Sequence, residues 1–256
     1  MAAQNPRPDE RQPRDAAHWA RYVETLEVSE VPQGAVNLNV EGRRVVGPLQ
    51  GFGKMWQKTY TVRLEGAGVS PAQVVEAWKE NFGGFWPKEN RFYAPLAGIV
   101  PGEVALLGSD APGSRWFSTG VMVLYADDES FTYMTPEGHP FSGWITFSAY
   151  RDEDGTTVAR AQLLIRANDP LYEIMMPLGL HRMEDRTWQR TLENVAAHFG
   201  VPGEVQTRVV CVDPKRQWRH YGNIRYNALI LSALHVITQP IREMSRKEAT
   251  NGGKGS

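Results

Sequence analysis

Apolar and polar side chains alternate from Trp56 to Leu64, with Trp56, Lys58, Tyr60, Val62 and Leu64 in one phase and Gln57, Thr59, Thr61 and Arg63 in the other. A period of two is that of a strand with one face buried. Ser70 and Gln73 then stand at capping-box spacing with Pro71 at the first helical position, and Val74, Val75, Trp78 and Phe82 recur at helical spacing, so the pattern predicts a helix closed by Gly83 and Gly84. Beyond Pro87 come short β-like runs at 91–107, 116–126, 130–135, 144–150 and 156–167, cut by turns of Gly, Asp and Pro. The turns leave no room for crossover helices, so these strands form an antiparallel meander.

The period changes again at Asn168-Asp169-Pro170, where Asp169 can cap a helix that Pro177 and Gly179 should break or kink. A longer helix is predicted from His181 to His198, with Trp188, Leu192, Val195, Ala196 and Phe199 on its buried side and Gly200 as the stop. Val205, Thr207, Val209 and Cys211 suggest one more strand, followed by a basic, aromatic connector at 215–221 and a helix through Ile237. Ahead of the core, Trp19, Tyr22, Val23 and Leu26 fall at i, i+3, i+4 and i+7 after a possible cap at Asp15, which predicts an N-terminal helix. Residues 36–46, turning at Glu41-Gly42, read as a small hairpin.

The chain thus divides into a disordered arm (1–14), an N-terminal helix and hairpin extension (15–50), a core domain (51–200), a C-terminal strand and helix extension (201–245) and a disordered tail (246–256). With 256 residues and 41% hydrophobic composition, one sizeable core is expected. Lys and Arg number 28 against 29 Asp and Glu, a balance that disfavours nucleic acid as a partner. A lone Cys211 excludes an intrachain disulfide, and the polar, Pro-rich start has no secretory apolar stretch, so a cytoplasmic location is expected. The lipophilic run at 228–237 falls short of the roughly 20 residues a membrane span needs.

Strand, helix, a run of antiparallel strands and a long C-terminal helix resemble the START and polyketide-cyclase (SRPBCC) superfamily. The stretches that carry the likeness are Gly51 to Trp56, Ser70 to Trp78, Thr135 to Gly143 and Arg166 to Pro170. The Gly-His-Pro-x-Ser-Gly loop at 138–143 is also similar to one in an uncharacterised bacterial branch of that superfamily. The resemblance covers roughly residues 51–200 and implies an α+β helix-grip fold: a curved antiparallel sheet wrapped around the long C-terminal helix, enclosing an apolar cavity. It further implies a hydrophobic or amphipathic ligand, lipid-, polyketide- or sterol-like. Carriers, sensors and cyclases share that fold, so fold alone does not select among them.

Glu137 and His139 share the dense turn between two strands, and they read either as an acid/base pair at a cavity mouth or as a clasp on the loop's own backbone. The first reading makes the protein a cyclase-, dehydratase- or hydrolase-type enzyme; the second leaves a binding protein. Trp56, Tyr60, Trp116, Tyr133, Trp144, Phe147, Met175, Met176 and Trp188 supply aromatic and thioether surface for core and ligand pocket alike. Arg160, Gln162 and Arg166 alternate with Ala161, Leu163 and Ile165; with the aliphatic side inward the arginines face solvent, whereas the opposite register makes Arg166 a buried cation for a ligand carboxylate or phosphate. His181 and Asp185, four apart on a helix with Glu184 adjacent, could supply two ligands to a metal, but no third is identifiable and they read as a helix-surface charge pair. No metal, cofactor, nucleophile elbow or phosphate loop is expected. The terminal extensions offer either a homodimer seam or, through the basic aromatic connector, a membrane-peripheral surface.

Overall fold

A computed structural model describes residues 16–109 and 117–238. The arm at 1–14, the Asp15 cap, the end of the C-terminal extension past residue 238 and the tail at 246–256 lie outside these. Nine strands form one antiparallel, curved sheet: β1 (Val45–Val46), β2 (Met55–Arg63), β3 (Asn90–Tyr93), β4 (Val104–Ser109), β5 (Ser118–Ala126), β6 (Ser130–Pro136), β7 (Phe141–Arg151), β8 (Thr157–Ala167) and β9 (Val205–Asp213). The spatial order is β3-β4-β5-β6-β7-β8-β2-β9, with β1 paired to β6. From β4 to β8 this is the expected meander of hairpins, while the single run expected at 91–107 is two paired strands, β3 and β4; β2, first of the long strands in the chain, closes the far side by pairing with both β8 and β9.

Register decides which side chains meet. Tyr60 opposes Ala161, Lys58 opposes Leu163, Phe147 opposes both Ala161 and Phe131, and Ile145 opposes Tyr133, so these positions share the concave face. Two helical layers cover that face. Helix α1 (Pro71–Glu80) starts where Ser70 accepts a hydrogen bond from the Gln73 amide, and buries Val74, Val75 and Trp78. It ends at Asn81 rather than at the glycine pair, which lies inside a further short helical turn, α2 (Phe82–Phe85). After α3 (Pro170–Met175), capped by Asp169, a π turn at Met176–Leu180 bends the chain at Gly179 (φ 138°) into α4 (His181–His198). This long helix is gripped by the sheet and buries Trp188, Leu192, Val195 and Ala196 against it. The fold is the helix-grip α+β arrangement expected from the sequence.

One end of the concavity is solid. Trp78, Phe82, Phe131, Tyr133 and Phe147 interlock edge to face, with Phe131 and Phe147 stacked at 4.8 Å. Such aromatic pairs contribute about 0.5–1.5 kcal/mol each beyond simple burial. Phe147 is therefore a core residue.

The convex face is covered by the described segments that flank the core, before residue 51 and after β9, and here the structure corrects the sequence reading. Only Ala16–His18 form a helical turn; the expected N-terminal helix is absent, Tyr22 is 91% exposed, and Leu26 alone of the supposed stripe is buried. The segment runs extended instead, with the Ala20 amide bonded to Leu124 O and the Leu26 amide to Arg43 O. An isolated helix of that length is marginal, and the apolar surface of Val104, Leu106 and Met122 offers Leu26 and Val40 a better partner. The hairpin expected at 36–46 is likewise replaced: the turn at Glu41-Gly42 is present, but Val40 joins that cluster, Asn39 bonds Ser118 O and Ser232 Oγ, and only Val45–Val46 pair, with β6. At the other end, a 3-10 segment at Trp218–Tyr226 and a helix α5 (228–238) follow β9. Asn223 bonds the carbonyls of Gln50 and Asn168, and Asn227 bonds Asp169, which staples this segment to Gln50 and to the junction of β8 with α3. No helix among the described residues is long and apolar enough to cross a membrane.

Candidate functional site

Between the aromatic plug and the α3–α4 bend lies a cavity of about 360 Å3. Ligand sites commonly fall at roughly 300–1,000 Å3. Its wall takes Phe82 and Trp86 from the α2 end, Leu107 from β4, Thr119 and Val121 from β5, Tyr133 and Thr135 from β6, and Ile145, Leu163 and Ile165 from β7 and β8. Tyr172, Met175, Leu180, Met183, Glu184, Thr187 and Trp188 close it from the helices, His139, Pro140 and Phe141 from the turn, and Leu229 from α5.

Five of these wall residues carry buried polar atoms with no hydrogen-bond partner: Trp86 Nε1, Thr119 Oγ1, Tyr133 OH, Glu184 Oε1 and Trp188 Nε1. Leaving such an atom unpaired costs about 1–3 kcal/mol. Burial without a partner also drives the Tyr133 phenol upward, so it remains a protonated hydroxyl. Of the nine such side-chain atoms among the described residues, five lie on residues of this wall.

A charged cluster backs the wall at Glu184. Lys58, fully buried in β2, places Nζ 2.7 Å from Glu184 Oε2 and 2.7 Å from Asp185 Oδ1, and Tyr60 donates to the same Asp185 oxygen at 2.6 Å. Burial pushes the Glu184 carboxyl up to about 7 against the pull of Lys58, and burial with the two carboxylates nearby raises the Tyr60 phenol far above its usual range. His181, edge-on to Trp56 at 5.0 Å, is pushed down to about 4 by burial and then by Lys58. The lysine was visible in the sequence as a cation in the apolar phase of β2, but its partners lie more than a hundred positions away on α4. His181, Glu184 and Asp185 hold no metal-ligand group together; none exists among the described residues.

Of the residues the sequence singled out for the pocket, Tyr133, Met175 and Trp188 line the cavity. Trp144 touches it, yet its register with Met134 and Leu164 and its indole beside Gly47 place the ring on the convex face. Tyr60 and Phe147 are core, Trp56 packs edge-on to His181, and Met176 joins a separate cluster with Ala167, Tyr172 and Leu180. Trp116 lies outside the described residues. Arg166 is no cavity cation: β8 directs it to the convex face, as the favoured register required, but solvent does not reach it there. The C-terminal segment covers it, Nη1 donating to Gly53 O (2.6 Å) and Lys215 O (3.0 Å) and Nη2 pairing with Asp213.

Glu137 and His139 do not converge. Arg44 holds Glu137 through Nε–Oε1 at 2.9 Å, away from the cavity, whereas His139 lines the cavity and keeps Nδ1 3.0 Å from both the amide nitrogen and the carbonyl oxygen of Phe141. The ring is a clasp on its own hairpin. Burial pushes it down to about 4, so it is neutral when folded, whereas an unfolded histidine titrates near about 6.5. Between those values the unfolded chain binds more protons, so stability is full at neutral pH and is lost as pH falls through that window. Glu184, raised, works in the opposite sense, adding stability as pH drops from about 7 toward about 4.5. Urea unfolding of H139Q against the parent at pH 7, 6, 5 and 4.5 should show a shallower acid loss in the variant. Parallel pH profiles would contradict this assignment.

No family model matches the chain, and no curated protein does. Solved structures do overlap it. Ara h 8.0201 is 12% identical, covering 57% of this chain and 97% of its own, with a TM-score of 0.40. Protein Ms6760 from Mycobacterium smegmatis is 12% identical over 61% of this chain and 96% of its own, at 0.41. The di-domain ARO/CYC StfQ of the steffimycin biosynthetic pathway is 12% identical over 56% of this chain and 50% of its own, also at 0.41. Strand order and register, not these overlaps, define the fold.

Proposed function

We propose that the protein binds a hydrophobic or amphipathic small molecule inside the grip of the sheet on α4. The observation that carries this reading is the coincidence of an apolar cavity of about 360 Å3 with five unpaired polar atoms on residues of its wall. Apolar surface supplies the affinity and a few polar groups fix orientation, which is the usual division of labour in small-molecule sites. Most of the wall belongs to residues 51–200, with Leu229 contributed from beyond them. The enzymatic alternative on Glu137 and His139 lacks a common reaction space, since Arg44 and the Phe141 backbone occupy the two side chains separately.

Purified protein, extracted with organic solvent or sprayed under native conditions, should release or retain a small apolar compound. The neutral dye N-phenyl-1-naphthylamine should bind saturably at one site. Filling the cavity with I165W should weaken the dye at least tenfold while the far-ultraviolet spectrum stays unchanged. Absence of both a co-purified compound and saturable dye binding would remove the proposal.

A further inference from the structure

Two of the unpaired atoms on the cavity wall are one helical turn apart on α4 and have opposite hydrogen-bond character. Glu184 Oε1 is an acceptor when ionised; its other oxygen is taken by Lys58 at 2.7 Å. Trp188 Nε1 can only donate, and it leans toward the Glu184 carboxylate without closing a hydrogen bond. Residues four apart share one helix face, and both Glu184 and Trp188 line the cavity. A single group satisfies this pair: a hydroxyl, whose O–H donates to the carboxylate while its oxygen accepts from the indole N–H.

Charge narrows the choice further. The buried cation behind this wall, Lys58, already faces two carboxylates, Glu184 and Asp185, and Tyr60 donates a hydrogen bond to the second. An anionic ligand entering here meets the Glu184 and Asp185 carboxyls, and no lysine or arginine lines the cavity among the described residues. The cation that the sequence offered for such a ligand, Arg166, lies on the other face of the sheet with Asp213. Burying a charge without a partner is strongly unfavourable.

We propose that Glu184 and Trp188 form a hydroxyl-reading subsite, and that the ligand is an uncharged alcohol or phenol on an apolar skeleton rather than a carboxylic acid. This rests on the ligand-binding reading of the cavity above. Hydrogen bonds to charged groups support a preference of roughly tenfold to a hundredfold.

The test is a matched series on one skeleton, 2-naphthol, 2-methylnaphthalene and 2-naphthoate, titrated by fluorescence into the full-length protein. The expected order is 2-naphthol tightest, at least tenfold ahead of 2-methylnaphthalene, with 2-naphthoate weakest. In W188F and in E184L, which leaves Lys58 paired with Asp185, the ratio of 2-naphthol affinity to 2-methylnaphthalene affinity should fall below threefold, whatever the absolute affinities become. Equal binding of 2-naphthol and 2-methylnaphthalene to the parent protein, or tightest binding of 2-naphthoate, overturns the hydroxyl subsite and leaves the cavity reading standing. Failure of all three probes to bind overturns both. The comparison within the parent protein needs no variant, so a variant that fails to fold does not shield the proposal.

Discussion

Replacing Lys58 with Met should cost about 3–5 kcal/mol of folding stability at pH 7.5, the range typical of removing one member of a buried ion pair. The ammonium is fully buried and bonds two carboxylates at 2.7 Å each. Without it, Glu184 and Asp185 repel across a site that water reaches only at the Asp185 side. Glu184 would then take up a proton on folding even more readily than it does beside the lysine. The deficit should therefore shrink as pH is lowered from 7.5 toward 5.5, because the folded variant binds the extra proton over that window. The double variant K58M/E184Q should recover most of the loss, and the interaction energy from this cycle isolates the pair. The His181 ring supplies an independent readout: losing the nearby cation removes one of the causes that hold it near 4, so its titration should move upward. A K58M protein as stable as the parent at pH 7.5, with His181 unmoved, would contradict the burial and pairing described here.

A second large effect is expected at the tip of the β6–β7 turn. Gly138 has φ 86°, and a Cβ built on it would lie 2.0 Å from Tyr226 O and 2.9 Å from Tyr226 C. G138A thus combines a left-handed backbone, at about 1–2 kcal/mol, with a collision against main chain that cannot swing aside. The C-terminal segment has to lift, breaking the Ala228 amide bond to Gly138 O (2.9 Å) and taking Asn227 from Asp169 and Leu229 from the cavity wall. Hydrogen exchange should report loss of protection across 218–238, and dye binding should weaken with it. Gly155, also at positive φ (82°) but with nothing within 4 Å of a Cβ, is the control: G155A should cost only the backbone term. Equal behaviour of the two alanine variants would show that the contact with Tyr226 is not maintained.

The sequence made the regular elements legible because each carries its own local signal. Ser70, Gln73 and Pro71 mark the start of α1, Asp169 and Pro170 that of α3, and the alternation from Trp56 onward traces β2. What covers the convex face was not legible. Trp19, Tyr22, Val23 and Leu26 match a helical period, but an extended segment that buries only Leu26 satisfies the same spacing once a sheet lies beneath it. Arg166 shows the same limit: alternation places it on the correct face but says nothing of the segment around Lys215 that later lies over it. The site failed differently. Glu137 and His139 attracted attention by adjacency in sequence, yet adjacency in a turn sends side chains to different partners. Lys58 with Glu184 depends on β2 meeting α4, and that contact leaves only one trace in the sequence, a lysine out of phase with its apolar neighbours.

The pairing of β2 with β8 and β9 sets the order in which this protein can assemble. Met55 finds its partners at Arg166 and Asp213, so a central strand emerges early in synthesis and stays unpaired until most of the described chain exists. Contacts so distant in sequence make folding slow and leave strand edges exposed in the meantime. The wall of the cavity draws on residues from Phe82 to Leu229, so it is complete only once the chain through Leu229 is in place.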